Sequence, residues 1–218
     1  MVTSSLPVHQ AGVLPEGGAN GENVSRSKSL FELAVRRNFS FSDGLIVVGN
    51  SGNRNLSAAS LSKLEVENYV DIVEASPRNT APAIAFAAFS AEAEDILLVT
   101  PADHIIKEGA AYDKAINRAI ELASDDAIVT FGVKPTKPET GYGYIEHDLE
   151  NVISFREKPN RETALEFLNS KKFLWNSGMF CFKSHIYLEQ LQEHAPEVYK
   201  KALEAWTVAK NAVLGYTA

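Results

Sequence analysis

The sequence has a single cysteine, Cys181, in 218 residues. A disulfide within the chain is therefore excluded, which fits a reducing compartment. Long apolar runs are also missing, and no stretch approaches the roughly 20 apolar residues of a membrane-spanning helix. The N-terminus has no basic segment followed by an apolar run, so no secretory signal is visible. Basic charge is in the minority, with 21 Lys and Arg against 28 Asp and Glu and a net charge of -7. Such a chain is a poor general binder of nucleic acid or membrane surface, because both are polyanions. A local basic patch for a small phosphate compound is still compatible with that balance. These shortages predict a soluble, cytoplasmic protein with no nucleic-acid and no membrane partner.

What is present is an ordinary globular composition, 45% hydrophobic and 22% charged. Collagen-like, low-complexity and wholly disordered readings are excluded, and the length suits one compact domain. Residues 1–27 stand apart, rich in Gly, Ser, Pro and Asn and without helical or strand periodicity. They are expected to be irregular or disordered. Order is expected over residues 28–218, opening at Ser29-Leu30-Phe31-Glu32, which has the spacing of a capping box.

From there apolar strands alternate with helical stretches. Gly44–Gly49, Asp71–Glu74, Asp95–Val99 and Ala127–Gly132 read as strands, the third being the strongest. Helices are expected near 56–64, 81–91 and 110–123. The alternation predicts an α/β fold with a largely parallel sheet. After Lys134 the rhythm changes, because Pro135 and Pro138 cannot sit in a central strand. Residues 142–146 and 152–155 read as an antiparallel excursion. A helix near 163–168, a strand near 178–182 and helices near 185–192 and 196–210 follow.

Several constellations along this frame could carry chemistry. Pro77-Arg78-Asn79-Thr80-Ala81-Pro82 joins a strand end to a helix start, where open α/β sheets place ligands. Asn79 or Thr80 can cap the helix, and its free N–H groups favour an anion. An ordinary capped helix that binds nothing is the commoner explanation. Thr100-Pro101-Ala102-Asp103-His104 follows the strongest strand, so the Asp103 carboxylate could hold Mg²⁺ on a phosphate or merely satisfy its loop. In Phe155-Arg156-Glu157-Lys158-Pro159 the Lys can serve as a point charge on a phosphate and Glu157 can accept from sugar hydroxyls. A solvated surface turn explains that segment as well. The glycines around Tyr142 in Gly141-Tyr142-Gly143 admit either a close ligand or a tight turn. Asn176 and Ser177, just before a buried strand, either cap its end or face a pocket. Each signal is weak alone; their order along one sheet is what strengthens them.

Taken in that order, the segments Pro77–Ile84, Thr100–His104, Phe131–Ile145, Glu157–Pro159 and Trp175–Phe180 resemble the mannose-1-phosphate guanylyltransferases, or GDP-mannose pyrophosphorylases. The resemblance spans about Lys28 to Lys201. It implies a Rossmann-like nucleotidyltransferase (nucleotide-diphospho-sugar transferase) mixed sheet flanked by helices. It also implies transfer of GMP from GTP to mannose 1-phosphate, giving GDP-mannose and pyrophosphate. By the same analogy Arg78, Asn79, Thr80 and Ala81 lie beside the guanine nucleotide, and Asp103 binds Mg²⁺. Tyr142, Gly143, Glu157 and Asn176 meet the sugar, and Lys158 holds its phosphate. Asp103 and Lys158 are then the two catalytic residues. A homo-oligomer is compatible with the resemblance.

The sequence departs from the family pattern at its start. The expected first strand and Gly-rich loop of the form G-G-x-G-T-R-L-W-P are not found. Gly17-Gly18-Ala19-Asn20-Gly21 is no substitute, since it follows no predicted strand and lacks the Thr-Arg pair. A second metal-binding Asp and a phosphomannose isomerase region would lie beyond residue 218. The expectation is a partial domain lacking its first strand, with poor turnover of GTP. The alternatives are a non-catalytic nucleotide-sugar binding or regulatory module, or a related nucleotidyltransferase using another base or sugar phosphate.

Overall fold

The computed structural model describes residues 8–13, 28–76, 79–106 and 109–214, with the backbone alone for 8–13 and 211–214. Two compact units emerge, one from residues 1–129 and 180–218, the other from residues 130–179. The second unit begins close to Lys134, where the sequence rhythm changes.

In the first unit the strands β1 (Val8–Val13), β2 (Gly44–Asn50), β3 (Val70–Glu74) and β4 (Ile96–Pro101) lie in the order β3-β2-β1-β4. All neighbours in this set are parallel. Residues 180–183, the end of β8 (Phe173–Lys183), pair antiparallel with β4, Val99 opposite Phe180. β2 and β4 are buried on both faces, which is why they read as continuous apolar runs. Leu97 and Leu98 are completely inaccessible, and each contributes about 1.5–3 kcal/mol by burial.

The helices α1 (Leu30–Asn38), α2 (Arg54–Lys63) and α3 (Thr80–Ser90) cover these faces. Phe31 and Val35 of α1 and Leu61 of α2 pack on Leu45 and Val47. On the other face Ala83, Ala87 and Ala88 of α3 meet Ile46, Val48, Leu97 and Val99. Small side chains let that helix approach the sheet closely. Helix α1 opens as its sequence predicts: Ser29 Oγ accepts from the Glu32 N–H and the Glu32 carboxylate from the Ser29 N–H, both at 3.2 Å. Helix α4 (Ala110–Ser124) follows β4, while α6 (Ser184–His194) and α7 (Pro196–Leu214) follow β8.

Strand β1 corrects two expectations. Residues 8–13 are not irregular, and the sheet does not lack a central strand between β2 and β4. Ala11 pairs with Ile46 on one side and Val99 on the other. The cause is tertiary: two parallel strands with a gap between them leave N–H and C=O groups that a third strand satisfies. The sequence Val8-His9-Gln10-Ala11-Gly12-Val13 has no alternation strong enough to announce this. The other positions of the 1–27 expectation lie outside the described residues.

The second unit is an antiparallel set with one helix. β6 (Tyr144–Asp148) pairs with β7 (Asn151–Arg156), and Tyr144 to Glu146 pair with Trp175 to Phe173 of β8. β5 (Val129–Val133) also pairs with β8. Helix α5 (Arg161–Ser170) is capped by Asn160, whose side chain accepts from the Thr163 N–H at 2.9 Å. Its Phe167 stacks on Phe173, and Tyr144 is buried beside it. Asn176 and Ser177 sit inside β8 rather than before a strand. Ser177 Oγ donates to the Phe131 carbonyl at 2.6 Å and accepts from the Met179 N–H at 3.2 Å, so its hydroxyl is satisfied there.

Candidate functional site

The residues singled out from the sequence fall into two groups, one in each unit. In the first unit the parallel strands end together at their carboxyl edge, where open α/β sheets bind ligands. Asp103 lies just beyond β4 with its side chain half-exposed, and His104 Nε2 stands 3.7 Å from its Oδ1. Magnesium sites typically combine one or two carboxylates with substrate phosphates and retained waters. A single accessible carboxylate at a strand end fits that donor set. Among the described residues no group of three or more His, Cys, Asp or Glu could hold a metal by itself.

Asn79 occupies the N-cap position of α3, yet its side chain makes no capping bond. Its φ of 76° and ψ of 177° lie in a region that favours glycine, a strain of about 1–3 kcal/mol for any other residue. Thr80 is exposed and opens the helix. Ala81 is half-buried, and its carbonyl accepts from Tyr187 Oη at 2.9 Å. Arg78 lies outside the described residues. A separate groove of about 1010 Å³ beside the outer edge of β3, walled by Phe86, Ala202 and Trp206, contains none of the described candidate residues.

The second unit gathers its group more tightly. The Asn176 N–H donates to the Gly143 carbonyl at 2.8 Å. A Cβ at position 143 would stand 3.1 Å from Glu157 Oε2 and 3.6 Å from Asn176 Cβ. Glycine there lets the Glu157 carboxylate close on the backbone. Tyr142 is half-exposed and meets Trp175 edge to face, with 5.4 Å between ring centroids. Asn176 Oδ1 accepts from the Gly178 N–H at 2.9 Å. Its side-chain nitrogen has no partner among the described residues and can donate outward. Lys158 Nζ lies 3.5 Å from Glu157 Oε1, both side chains being largely exposed. Lys158 also has a positive φ of 36°. The group combines an acceptor, a donor, a cation and an aromatic wall, a set that suits a phosphorylated polyol.

Sequence reasoning passed over Trp175 and Glu139 as site components, although both lie in motifs it quoted. Trp175 Nε1 is buried without a hydrogen-bond partner among the described residues. The Glu139 carboxylate accepts from the Gly141 N–H and pairs with Lys137. Cys181, by contrast, is buried in the first unit and carries no chemistry, its thiol pushed up to about 12 by burial.

The profile of the nucleotidyl transferase family matches residues 24–216. The chain belongs to that family. It is 40% identical over 195 residues to the mannose-1-phosphate guanylyltransferase RfbM of Salmonella typhimurium, covering 84% of this chain and 41% of that protein. With the mannose-1-phosphate guanylyltransferase of Escherichia coli the identity is 39% over 183 residues, 77% of this chain and 37% of the relative. The chain thus spans about two fifths of the length of these curated relatives. Among solved structures it is similar to the mannose-6-phosphate isomerase of Helicobacter pylori, at 38% identity and a TM-score of 0.84, covering 91% of this chain and 80% of that one. A Thermus thermophilus structure described as mannose-1-phosphate geranyltransferase shares the fold at 24% identity and a TM-score of 0.75, over 93% of this chain and 65% of that one. For a nucleotidyl transferase, the mixed sheet with helices on both faces is the expected frame. Among the described residues no helix is long and apolar enough to cross a membrane.

Proposed function

We propose that this nucleotidyl transferase has the substrate chemistry of a mannose-1-phosphate guanylyltransferase, acting in the cytoplasm on GTP and mannose 1-phosphate to give GDP-mannose. The observation that carries the reading is the cluster of Gly143, Glu157 and Asn176, with Tyr142 and Lys158 beside it. Relatives about 40% identical that bear this enzyme name support it. The nucleophile is a phosphate oxygen already ionised at neutral pH, so no general base is required. The work is to align two anions and to neutralise charge on the leaving pyrophosphate. Lys158 brings its ammonium to the sugar phosphate, while Glu157 and Asn176 orient the hydroxyls. Asn79, Thr80 and Ala81, with Arg78 just before them, border the guanine nucleotide. Asp103 would hold Mg²⁺, which supplies neutralising charge on the nucleotide phosphates when bound.

A second reading has its own observation. The sequence that follows β1, residues 14–25, contains Glu16 and Glu22 and no Lys or Arg. It is Gly-rich and does follow a strand, so that ground for rejecting it falls. The Thr-Arg pair is still missing, and with it the cation for the triphosphate. This favours a module that binds nucleotide sugar and turns over slowly. Pyrophosphate release by the purified chain with GTP, mannose 1-phosphate and Mg²⁺, alongside calorimetry with GDP-mannose, tests both readings. Binding with background turnover is expected. Ordinary turnover would refute the weakened triphosphate side, and absence of binding would refute the substrate assignment.

A further inference from the structure

We propose that Glu139 is a positioning residue, clamping the turn Gly141-Tyr142-Gly143 in the shape that meets the ligand. The inference rests on the proposed reading that Tyr142 and Gly143 border the sugar. Its structural basis lies wholly within the second unit. Residues 134–143 form no helix and no strand, so repetitive hydrogen bonding does not fix the turn. Local bonds do so instead. The Glu139 carbonyl accepts from Tyr144 Oη at 2.8 Å, and Tyr144 is fully buried. That bond anchors the start of the turn to the core of its unit. The Glu139 carboxylate then reaches forward, Oε1 accepting from the Gly141 N–H at 3.1 Å. The end of the turn is held by β8, through the Asn176 N–H on the Gly143 carbonyl.

Glu139 thus takes part in two of these restraints, and at the middle of the turn its carboxylate acts beside the edge-to-face contact of Tyr142 with Trp175. Lys137 Nζ lies 2.8 Å from Oε2, which orients the carboxylate so that Oε1 faces Gly141. The Lys137 ammonium, with the Gly141 N–H, also holds the Glu139 carboxyl below its usual range. The acceptor is therefore fully ionised at neutral pH, the form that binds an N–H most strongly. Glycine at 141 has the conformational freedom to leave this geometry once the bond is gone. Loss of the carboxylate should then let Tyr142 swing and widen the approach to Gly143, with the fold unaffected.

The test compares wild type, Glu139→Ala and Glu139→Gln by amide hydrogen exchange across 139–144 and by calorimetry with mannose 1-phosphate. In Glu139→Ala the Gly141 amide should exchange faster and affinity should fall about fivefold, the scale of one lost hydrogen bond. Glu139→Gln keeps an acceptor oxygen and should recover part of both. The melting temperature should be the same in all three, which separates positioning from general stability. Unchanged Gly141 exchange in Glu139→Ala overturns the clamp whether or not ligand binds, and faster exchange with unchanged affinity overturns the positioning role. A wild-type chain that binds no mannose 1-phosphate instead defeats the functional reading, and the exchange arm then decides the clamp alone.

Discussion

Backbone strain falls on two of the candidate residues. Asn79 and Lys158 both have positive φ without being glycine, and strain of that kind persists only where surroundings over-determine it. At Lys158 the following Pro159 narrows the choices further. The fixed backbone directs a long cationic side chain whose nearest partner, Glu157, is itself exposed. An exposed pair of this sort stabilises the fold very little, so the strain is not offset by that contact. A phosphate ligand would supply what the pair lacks. Lys158→Ala should therefore weaken GDP-mannose binding by roughly 1.5–3 kcal/mol, the cost of a charged hydrogen bond. Calorimetry reads that loss, with the melting temperature as control. An unchanged affinity removes Lys158 from the site.

Among the elements, ion pairs that tie ends together offer a second handle. Lys183 ends β8, and its Nζ lies 2.6 Å from Asp126, in the turn after α4, and 3.3 Å from Glu94, just before β4. The Asp126 carboxyl is held below its ordinary range, chiefly by its hydrogen bond from Lys183. A depressed carboxyl pKa adds stability above the unfolded value, near 3.9, that is lost as pH falls through the folded value. The ammonium of Lys183 is raised, so its share survives past pH 10 and fades only above that. Asp126→Asn should lower the melting temperature at pH 7 and lower it less in acid, as the wild-type carboxyl takes up its proton. An equal loss at pH 7 and in acid would mean that packing, not charge, holds the junction.

The same elements show what the sequence could and could not reveal. β2 and β4 were legible because burial on both faces leaves a continuous apolar run. α1 was legible because Ser29 and Glu32 make a local, reciprocal bond. β1 was not, since partners far along the chain make it a strand. The N-terminal part of β8 was missed for a related reason: Asn176 and Ser177 look like loop residues until Phe131 and Gly143 are beside them. In the group around Gly143 the residue types were readable, but the closeness of Gly143 to Glu157 depends on two turns that sequence spacing cannot bring together.

At the scale of the whole molecule the decisive quantity is charge placed on anionic substrates. The chain carries a net charge of -7, so the anionic substrates of the proposed function would meet a repulsive surface unless cations are local. Under the proposed function Lys158 would answer this on the sugar side. The sequence after β1 holds two carboxylates, Glu16 and Glu22, and no cation before Arg26. β1 nonetheless leads into it from the centre of the parallel sheet, between β2 and β4, the position from which a phosphate loop would extend. Slow turnover, where the pyrophosphate assay finds it, would then trace to the sequence of that segment and not to the frame. Replacing residues 14–24 with a loop of the form G-G-x-G-T-R-L-W-P restores backbone donors and an arginine at the leaving group. Pyrophosphate release should rise on the order of a hundredfold, the scale of one preorganised donor in a transition state. GDP-mannose affinity on the sugar side should stay as it was. A folded graft that binds GDP-mannose yet turns over no faster would place the deficit outside that segment.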